Sequence, residues 1–319
     1  MAVSFGWPFG AIAAQSPHTP HSVTLRVDND AFDFWRMPYN RPDEDYTSGV
    51  HITYAGGDAP LWARALMRGL PACAARLASC RTGDTELGQD IYTPALWSDD
   101  PKPPPGSRPA AGWLYVESAA RALSASRFDE LGLTLGVTGH PSLAEFTQTL
   151  VHRVAPAYNR PTDWSNQIGF EPGVIIRYEQ RRRVDIVSSA AADWGWDFIP
   201  RIGAAVGNVS TQADAGFQTR FGWHLPHPWL VDRTAASVSV LAGASEKAVA
   251  RDLFLDGTTF SRGPRVGHKP FVTSGEVGVE LRYRWLNVAY RVQSDSRAYA
   301  AGSAWHPWAS MVGGVTFDR

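Results

Sequence analysis

A histidine and a glutamine four residues apart could together handle a water molecule. Imidazole is the side chain most often used to take a proton from water, so His152 could act as a general base. Gln148 would share its face on a helix, where it could orient the water or a substrate carbonyl. A histidine on an exposed helix commonly has no role, so this hypothesis requires other polar groups nearby.

Such polar groups occur where two segments of alternating apolar and polar residues end or begin. Asn29 and Asp30 combine an amide, a carboxylate and main-chain carbonyls, a hard-oxygen environment that suits calcium. Alternation points the two side chains to opposite faces unless a bulge intervenes, and both residue types are also common in plain turns. Thr47 opens the next segment and would lie beside them in an antiparallel pair. Lys102, in the Pro-rich 101–105 loop, could stabilise an anion such as a lipid phosphate or could simply be solvated.

Apart from Lys102, these residues belong to polar signatures that lie at or beside the ends of alternating segments. If the chain crosses a membrane as an up-and-down β-barrel, all of the signatures fall at the same rim. Convergence of sites that are remote in sequence is what an active site requires. The signatures are Asp28-Asn29-Asp30, Asp45-Tyr46-Thr47-Ser48-Gly49, Gln89-Asp90-Ile91-Tyr92-Thr93-Pro94, Arg108-Pro109 with Gly112-Trp113-Leu114-Tyr115, and Gln148 with His152.

The alternation that predicts the barrel is strictest between Glu130 and Thr138. An apolar row and a row of small or polar residues alternate there with a period of two, as in a strand. Charged residues enter the polar rows near the C-terminus, which is expected for a hydrated lumen with lipid outside. They are Glu280, Arg282, Arg284 and Arg291.

Coarse strands number about twelve, which predicts an all-β, antiparallel transmembrane barrel with both ends in the periplasm. Phe317 near the C-terminus is similar to the aromatic ending of outer-membrane proteins. The predicted strands are 22–30, 45–55, 84–93, 112–119, 129–138, 172–182, 184–206 in part, 211–222, 236–255, 272–284, 286–297 and 307–317.

The long connection 139–171 would then face outward and contain a short helix. Apolar residues recur at helical spacing from Ser142 to Val154. Ser142 with Glu145 three residues later forms the pattern of a capping box. This helix would carry Gln148 and His152 over the outer rim.

The composition narrows the class of protein. With 44% hydrophobic and 19% charged residues, the 319-residue chain is a folded one. The net charge of -1 gives no electrostatic argument for nucleic acid. No stretch of roughly 18 consecutive apolar residues occurs, so a transmembrane helix is excluded. A Gly-x-Ser-x-Gly elbow is missing, which disfavours serine hydrolases of that type.

The N-terminus reads as a leader. Residues 1–20 are apolar and then polar, with small residues at Ala11-Ile12-Ala13, so we expect the remnant of a signal peptide followed by one barrel domain over 21–319. The two cysteines, Cys73 and Cys80, could form a periplasmic disulfide if a turn separates them, or could stay reduced.

From about residue 22 to its end, the chain resembles the outer-membrane lipid A 3′-O-deacylase family. The signatures above carry this resemblance together with Gly136-Val137-Thr138-Gly139 and Trp164 through Pro172. The resemblance implies a twelve-stranded barrel that hydrolyses the 3′-acyloxyacyl ester of lipid A with calcium. By motif, His152 would be the base and Asp30 a calcium ligand. The supporting residues would be Asn29, Thr47 and Gln148, with Lys102 as the candidate for the family lysine.

We therefore expect a monomeric, calcium-dependent esterase of the outer membrane that meets lipopolysaccharide at the outer leaflet. Three alternatives remain open at this point. They are a non-catalytic channel or adhesin, a phospholipase-type esterase, and a soluble β-sandwich.

Overall fold

The alternating segments form strands that hydrogen-bond into one antiparallel sheet. A computed structural model describes residues 21–32, 43–69, 79–94, 103–154, 162–187, 193–230 and 236–317. The strands are β1 (His21–Asn29), β2 (Asp45–Asp58), β3 (Ser79–Thr93), β4 (Ala111–Leu123), β5 (Arg127–Thr138), β6 (Pro172–Arg182), β7 (Val184–Val187), β8 (Trp194–Gly207), β9 (Ser210–Trp223), β10 (Ala236–Asp252), β11 (Phe271–Tyr283), β12 (Leu286–Ser296) and β13 (Trp305–Phe317). The helices are α1 (Leu61–Met67), α2 (Ala144–Val154) and α3 (Leu253–Asp256).

Two pairings close this sheet into a barrel. β1 pairs with β13 along its whole length, and β6 pairs with β8. β7 continues the register of β6 on β8, since Arg181 lies opposite Arg201 and Val184 lies opposite Phe198. The wall therefore has twelve strands, as predicted, and the short β7 lengthens one of them. The strand expected over 184–206 is wrong in detail, because its first residues extend β6.

Side chains alternate across this wall as the sequence predicts. Leu25 on β1 and Ile52 on β2 are exposed, whereas Arg26 and Asp28 are buried. The apolar rows thus cover the outside of the barrel and the charged rows line its lumen, which is the arrangement for a wall that faces lipid. A single closed sheet with an apolar exterior excludes the soluble β-sandwich.

The lumen is filled with side chains near the end where β1 finishes. α3 follows β10 and inserts there, with Leu253, Phe254 and Leu255 completely buried. The ring of Phe254 stacks on Tyr92 with centroids 4.8 Å apart and meets Trp113 edge-on at 6.5 Å. A narrow, filled barrel of this kind contrasts with the open lumen of a wide porin.

All the polar signatures lie at one end of the barrel, as predicted. We call this end the upper rim; it carries the connections 30–44, 94–110, 139–171, 208–209, 253–270 and 297–304. The opposite end, where β1 begins and β13 finishes, is the lower rim. α2 belongs to the upper rim and α1 to the lower rim. None of the helices in the described ranges is long and apolar enough to cross a membrane.

α2 packs on the outside of the wall. Gln89 belongs to the exterior row of β3, because it is paired with Val50 of the exterior row of β2. The Gln89 side chain donates from Nε2 to the main-chain oxygen of Ser142 at 2.6 Å. The turn that leads into α2 is therefore bound to the outer face of the barrel.

The first turn of α2 differs from the predicted capping box. The Ser142 hydroxyl donates to the carbonyl oxygen of Gly139 at 2.6 Å, within a short 3-10 turn. Leu143 follows with a positive φ of 59°, and the helix begins only at Ala144. The expected capping box of Ser142 and Glu145 is thus wrong, although the helix itself is confirmed.

A glycine on β4 makes the close contact of α2 with the wall possible. A Cβ on Gly112 would overlap the Ser142 hydroxyl and the Ala144 methyl group. Ala144 itself is buried in a cluster with Ile91, Ala110 and Trp164. The absence of a side chain at Gly112 therefore lets α2 lie directly against the outer wall.

We predict that Gly112→Ala loosens the 139–171 connection without opening the barrel. Overpacking of this kind costs about 1–3 kcal/mol, which corresponds to roughly a tenfold rise in the undocked population. Limited proteolysis in detergent measures it as faster cleavage in this connection. Gly313→Ala is the matched control, because a Cβ there would meet nothing within 4 Å. Equal cleavage rates in the two variants would contradict the docking described here.

Candidate active site

The residues proposed for chemistry on α2 share one carboxylate. Asp43 Oδ2 accepts a hydrogen bond from Gln148 Nε2 at 2.7 Å and lies 3.1 Å from His152 Nε2. Gln148 and His152 are one helical turn apart on the same face of α2, as the sequence predicts. Asp43, two residues before β2, therefore ties the wall to the helix.

A tryptophan fixes the orientation of Gln148. Trp164 Nε1 donates to Gln148 Oε1 at 2.9 Å, so the other end of the amide must present its N–H group to Asp43. The Gln148 side chain is buried and one of its N–H groups is already bound to Asp43. One amide hydrogen remains for another acceptor.

The same carboxylate sets the tautomer of His152. A carboxylate can only accept, so Nε2 must carry the hydrogen that faces Asp43. In the neutral ring, the lone pair then resides on Nδ1, which can take a proton. The His152 side chain is 14% exposed, so the ring is shielded but reachable. An orienting carboxylate, an imidazole and an accessible nitrogen together form the arrangement of a general base.

A bulge in β2 brings Thr47 to the same side of the wall. The pairing with β3 shifts between Tyr46 and Ser48, so Thr47 is the extra residue. Its hydroxyl lies 2.6 Å from that of Thr93, which belongs to the exterior row of β3. Without the bulge, the alternation that points Tyr46 into the lumen could not also direct the Thr47 and Ser48 side chains outward.

Asn29 and Asp30 lie at the end of β1, beside the same segment. Asn29 is paired with Ser48, and its Oδ1 accepts a hydrogen bond from the amide of Ala31 at 2.7 Å. A 3-10 turn begins at Asp30, and this turn rather than a bulge redirects its carboxylate. Asp30 Oδ2 accepts from the amide of Glu44 at 3.1 Å, which links it to the residue next to Asp43.

Most of the predicted site residues are therefore brought to the 43–48 segment. Contacts or strand pairing join Asn29, Asp30, Thr47, Gln148 and His152 to it. Lys102 lies outside the described residues, as do Cys73, the side chain of Cys80 and the 1–20 leader. What the sequence predicts for these residues therefore stays a prediction.

Two residues of the site were missed by the sequence analysis. Asp43 stands two residues before the Asp45 signature, so its acidic neighbourhood was a usable signal, but nothing local shows that it reaches a helix more than 100 residues later. Trp164 belongs to a segment noted only for its resemblance. Its indole bonds to Gln148, a contact that periodicity does not predict.

Arg108, from the signature that begins with Arg108-Pro109, has a structural role. The Arg108 guanidinium lies 4.5 Å from the centre of the Tyr92 ring, and Nη1 is 3.8 Å from Asp45 Oδ1. Asp45 adopts a positive φ of 53° at the start of β2. At the upper rim, burial raises the pKa of the Tyr299 phenol, and the charge of Asp45 raises it further. The phenol of Tyr299 therefore stays protonated. Arg108 thus supports the strained turn from which Thr47 follows.

The corner around Asp30 has the donor chemistry that calcium prefers. Asp30 supplies a carboxylate, the ligand type that calcium prefers, and its Oδ2 accepts from the main-chain amide of Glu44, whose own side chain is buried. Within the described ranges, however, no group of three His, Cys, Asp or Glu side chains is arranged to hold a metal ion. A calcium ion here would thus use Asp30 with main-chain and water oxygens, a mixed set that calcium accepts.

Comparisons with known proteins agree with the barrel. The family model described as outer membrane protein LpxR matches residues 1–317. The solved structure of LpxR from Salmonella typhimurium is similar, with a TM-score of 0.73, 17% identity, and coverage of 92% of this chain and 99% of that one. The β domain of the Bordetella autotransporter BrkA has a TM-score of 0.46 and 13% identity, and the match covers 93% of this chain and 98% of that one. A search of curated proteins gives no match.

We predict that Asp43→Ala loosens α2, because both Gln148 and His152 lose their acceptor. Hydrogen bonds to a charged group contribute about 1.5–3 kcal/mol each, so amide exchange across α2 should accelerate roughly tenfold or more. Hydrogen-exchange mass spectrometry measures this directly. Glu145→Ala is the control, since that exposed carboxylate on the same helix is paired, among the residues that the structure describes, with His140 at 3.6 Å. Unchanged protection in Asp43→Ala would show that Asp43 does not hold the helix.

Proposed function

This chain belongs to the LpxR family of outer-membrane lipid A deacylases, and we propose that it removes the 3′-acyloxyacyl group of lipid A by calcium-dependent ester hydrolysis. The observation that carries this proposal is the bonded pair of Asp43 and His152 beside the outer face of the wall. A base in that position meets a substrate that arrives from the bilayer.

In the proposed reaction, a water molecule gives a proton to Nδ1 of His152 while its oxygen attacks the ester carbonyl carbon. Asp43 balances the charge of the imidazolium through the hydrogen bond at Nε2. When the tetrahedral intermediate collapses, the bond from the acyl carbon to the sugar 3′ oxygen breaks. His152 then returns its proton to that oxygen, which leaves as the 3′ hydroxyl.

Neighbouring polar groups would position the substrate for this attack. The second amide hydrogen of Gln148 has no acceptor among the described residues, and the hydroxyl of Thr47, which shares a hydrogen bond with Thr93, lies on the same side of the wall. Asn29 is paired next to them. Asp30 is the side chain that would hold calcium, and a bound calcium ion supplies positive charge that polarises an ester carbonyl. Lys102 is retained as a candidate for contact with an anionic group of the lipid.

The outer surface of α2 supports a lipid substrate. Phe146, Leu150 and Val154 point away from Asp43 and are exposed, with Phe146 66% accessible. A helix with one polar face on the site and one apolar face outward is suited to the boundary between headgroups and acyl chains. We propose that the upper rim faces the cell exterior, where lipopolysaccharide forms the outer leaflet. The filled lumen argues against a channel.

Mass spectrometry of lipid A from cells that express the chain tests this function. We expect loss of one acyloxyacyl unit with the wild type, and a rate lower by about 100-fold or more with His152→Ala, the usual effect of losing a general base. His140→Ala is the matched control, because its ring is 82% exposed before α2. Unmodified lipid A would reject the proposal, and release of fatty acid from glycerophospholipid instead would favour a phospholipase. Wild-type turnover by His152→Ala would remove that residue from the mechanism.

The calcium requirement has its own test. Chelation of the wild type should abolish most of its activity reversibly, and Asp30→Ala should lower the rate by about 100-fold, as loss of charge stabilisation near an oxyanion does. Calorimetric titration with calcium provides a readout besides activity, with binding weakened about tenfold or more in Asp30→Ala. Asp58→Ala is the control, since that carboxylate is exposed at the lower rim. Full activity in chelator at saturating substrate would contradict the metal-assisted mechanism.

A further inference from the structure

α1 packs on the outside of the wall at the lower rim. Its buried side chains, Ala63 and Met67, form a cluster with Ala120 and Ala122 of β4. These β4 residues belong to the exterior row, as shown by their even spacing from the exposed Val116. α1 therefore lies against the lipid side of the barrel, outside the lumen.

A hydrogen bond fixes the orientation of α1 on this surface. Trp62 Nε1 donates to Ser118 Oγ at 3.3 Å, and Ser118 is in the same exterior row of β4. The Arg64 Nε group donates to the carbonyl oxygen of Ala59 at 3.0 Å, so the base of this side chain is held beside the start of the helix. The terminal guanidinium nitrogens of Arg64 extend outward, and its side chain is 51% exposed.

The uncovered surface of α1 carries both apolar and cationic side chains. Leu61 and Leu66 are 78% and 60% exposed, which would be costly for a helix surrounded by water. Arg64 and Arg68 are four residues apart, so they share a face, and both are exposed. A short helix that lies on a lipid-facing wall with leucines and arginines uncovered has the features of an element at the membrane interface.

We propose that α1 and the adjoining outer wall of β4 and β5 bind an anionic glycerophospholipid. Arg64 and Arg68 would hold its phosphate, and the exposed apolar rows toward mid-membrane, which include Val116 and Leu135, would contact its acyl chains. Charge complementarity selects the headgroup, because Asp58 is the only carboxylate that the described residues pair with these arginines, and it lies 4.0 Å from Arg64 and is exposed. With the upper rim outward, this site belongs to the inner leaflet, and it is separate from the lipid A site on α2.

Native mass spectrometry of the full chain released from detergent tests the site with two probes of equal chain length, a phosphatidylglycerol and a phosphatidylcholine. The wild type should retain phosphatidylglycerol preferentially. The double variant Arg64→Gln with Arg68→Gln should lose about tenfold or more of that retention, the effect expected for two cations at a membrane surface. The variant Arg64→Lys with Arg68→Lys keeps the charge and should retain most of it.

Arg182→Gln is the matched control, because Arg182 is an exposed arginine at the same end of the barrel, on β6. It should bind as the wild type does, and the heat-dependent mobility of each variant on a gel verifies that the barrel is folded. Equal retention of both lipids by the wild type, or unchanged retention in the double glutamine variant, would overturn the proposal. Neither outcome bears on lipid A hydrolysis, which is measured separately.

Discussion

Closure of the sheet is the constraint on which the rest of this structure depends. Inside a bilayer every main-chain N–H and C=O group must be hydrogen-bonded within the protein, and here the β1–β13 and β6–β8 pairings complete the ring. Closure forces successive side chains to alternate between lipid and lumen. Polar chemistry on the lipid side is then possible only near a rim, where strands end and water is close.

The site follows from two local departures from that alternation. The bulge at Thr47 turns an additional polar side chain outward, and the 3-10 turn at Asp30 ends β1 beside the segment that carries Asp43. α2 then covers this corner because Gly112 leaves room for its first turn. One carboxylate, that of Asp43, joins the two parts by accepting from both polar residues of the helix. The His152 imidazole is thus positioned by the wall and by α2 together.

The sequence predicted the barrel well because a period of two persists wherever one face meets lipid. Strand β6, for instance, was expected over 172–182 and has those bounds. Prediction failed where packing decides the geometry: Ser142 bonds to Gly139 instead of capping the helix, since this turn is pressed against the wall. Asp43 was missed because its partners lie 105 and 109 residues away, and no local pattern encodes a contact of that range.

A lipid-facing site at the upper rim can serve the outer leaflet only if that rim faces the cell exterior, so the orientation of the barrel is the quantity to measure. Two exposed serines on opposite rims, Ser261 in the 253–270 connection and Ser126 between β4 and β5, can each be changed to cysteine in a background without Cys73 and Cys80. A membrane-impermeant maleimide is then added to intact cells. We predict that Ser261→Cys is labelled at once and Ser126→Cys only after the outer membrane is breached. The reverse pattern would locate His152 at the inner leaflet, away from lipid A, and would contradict the proposed function.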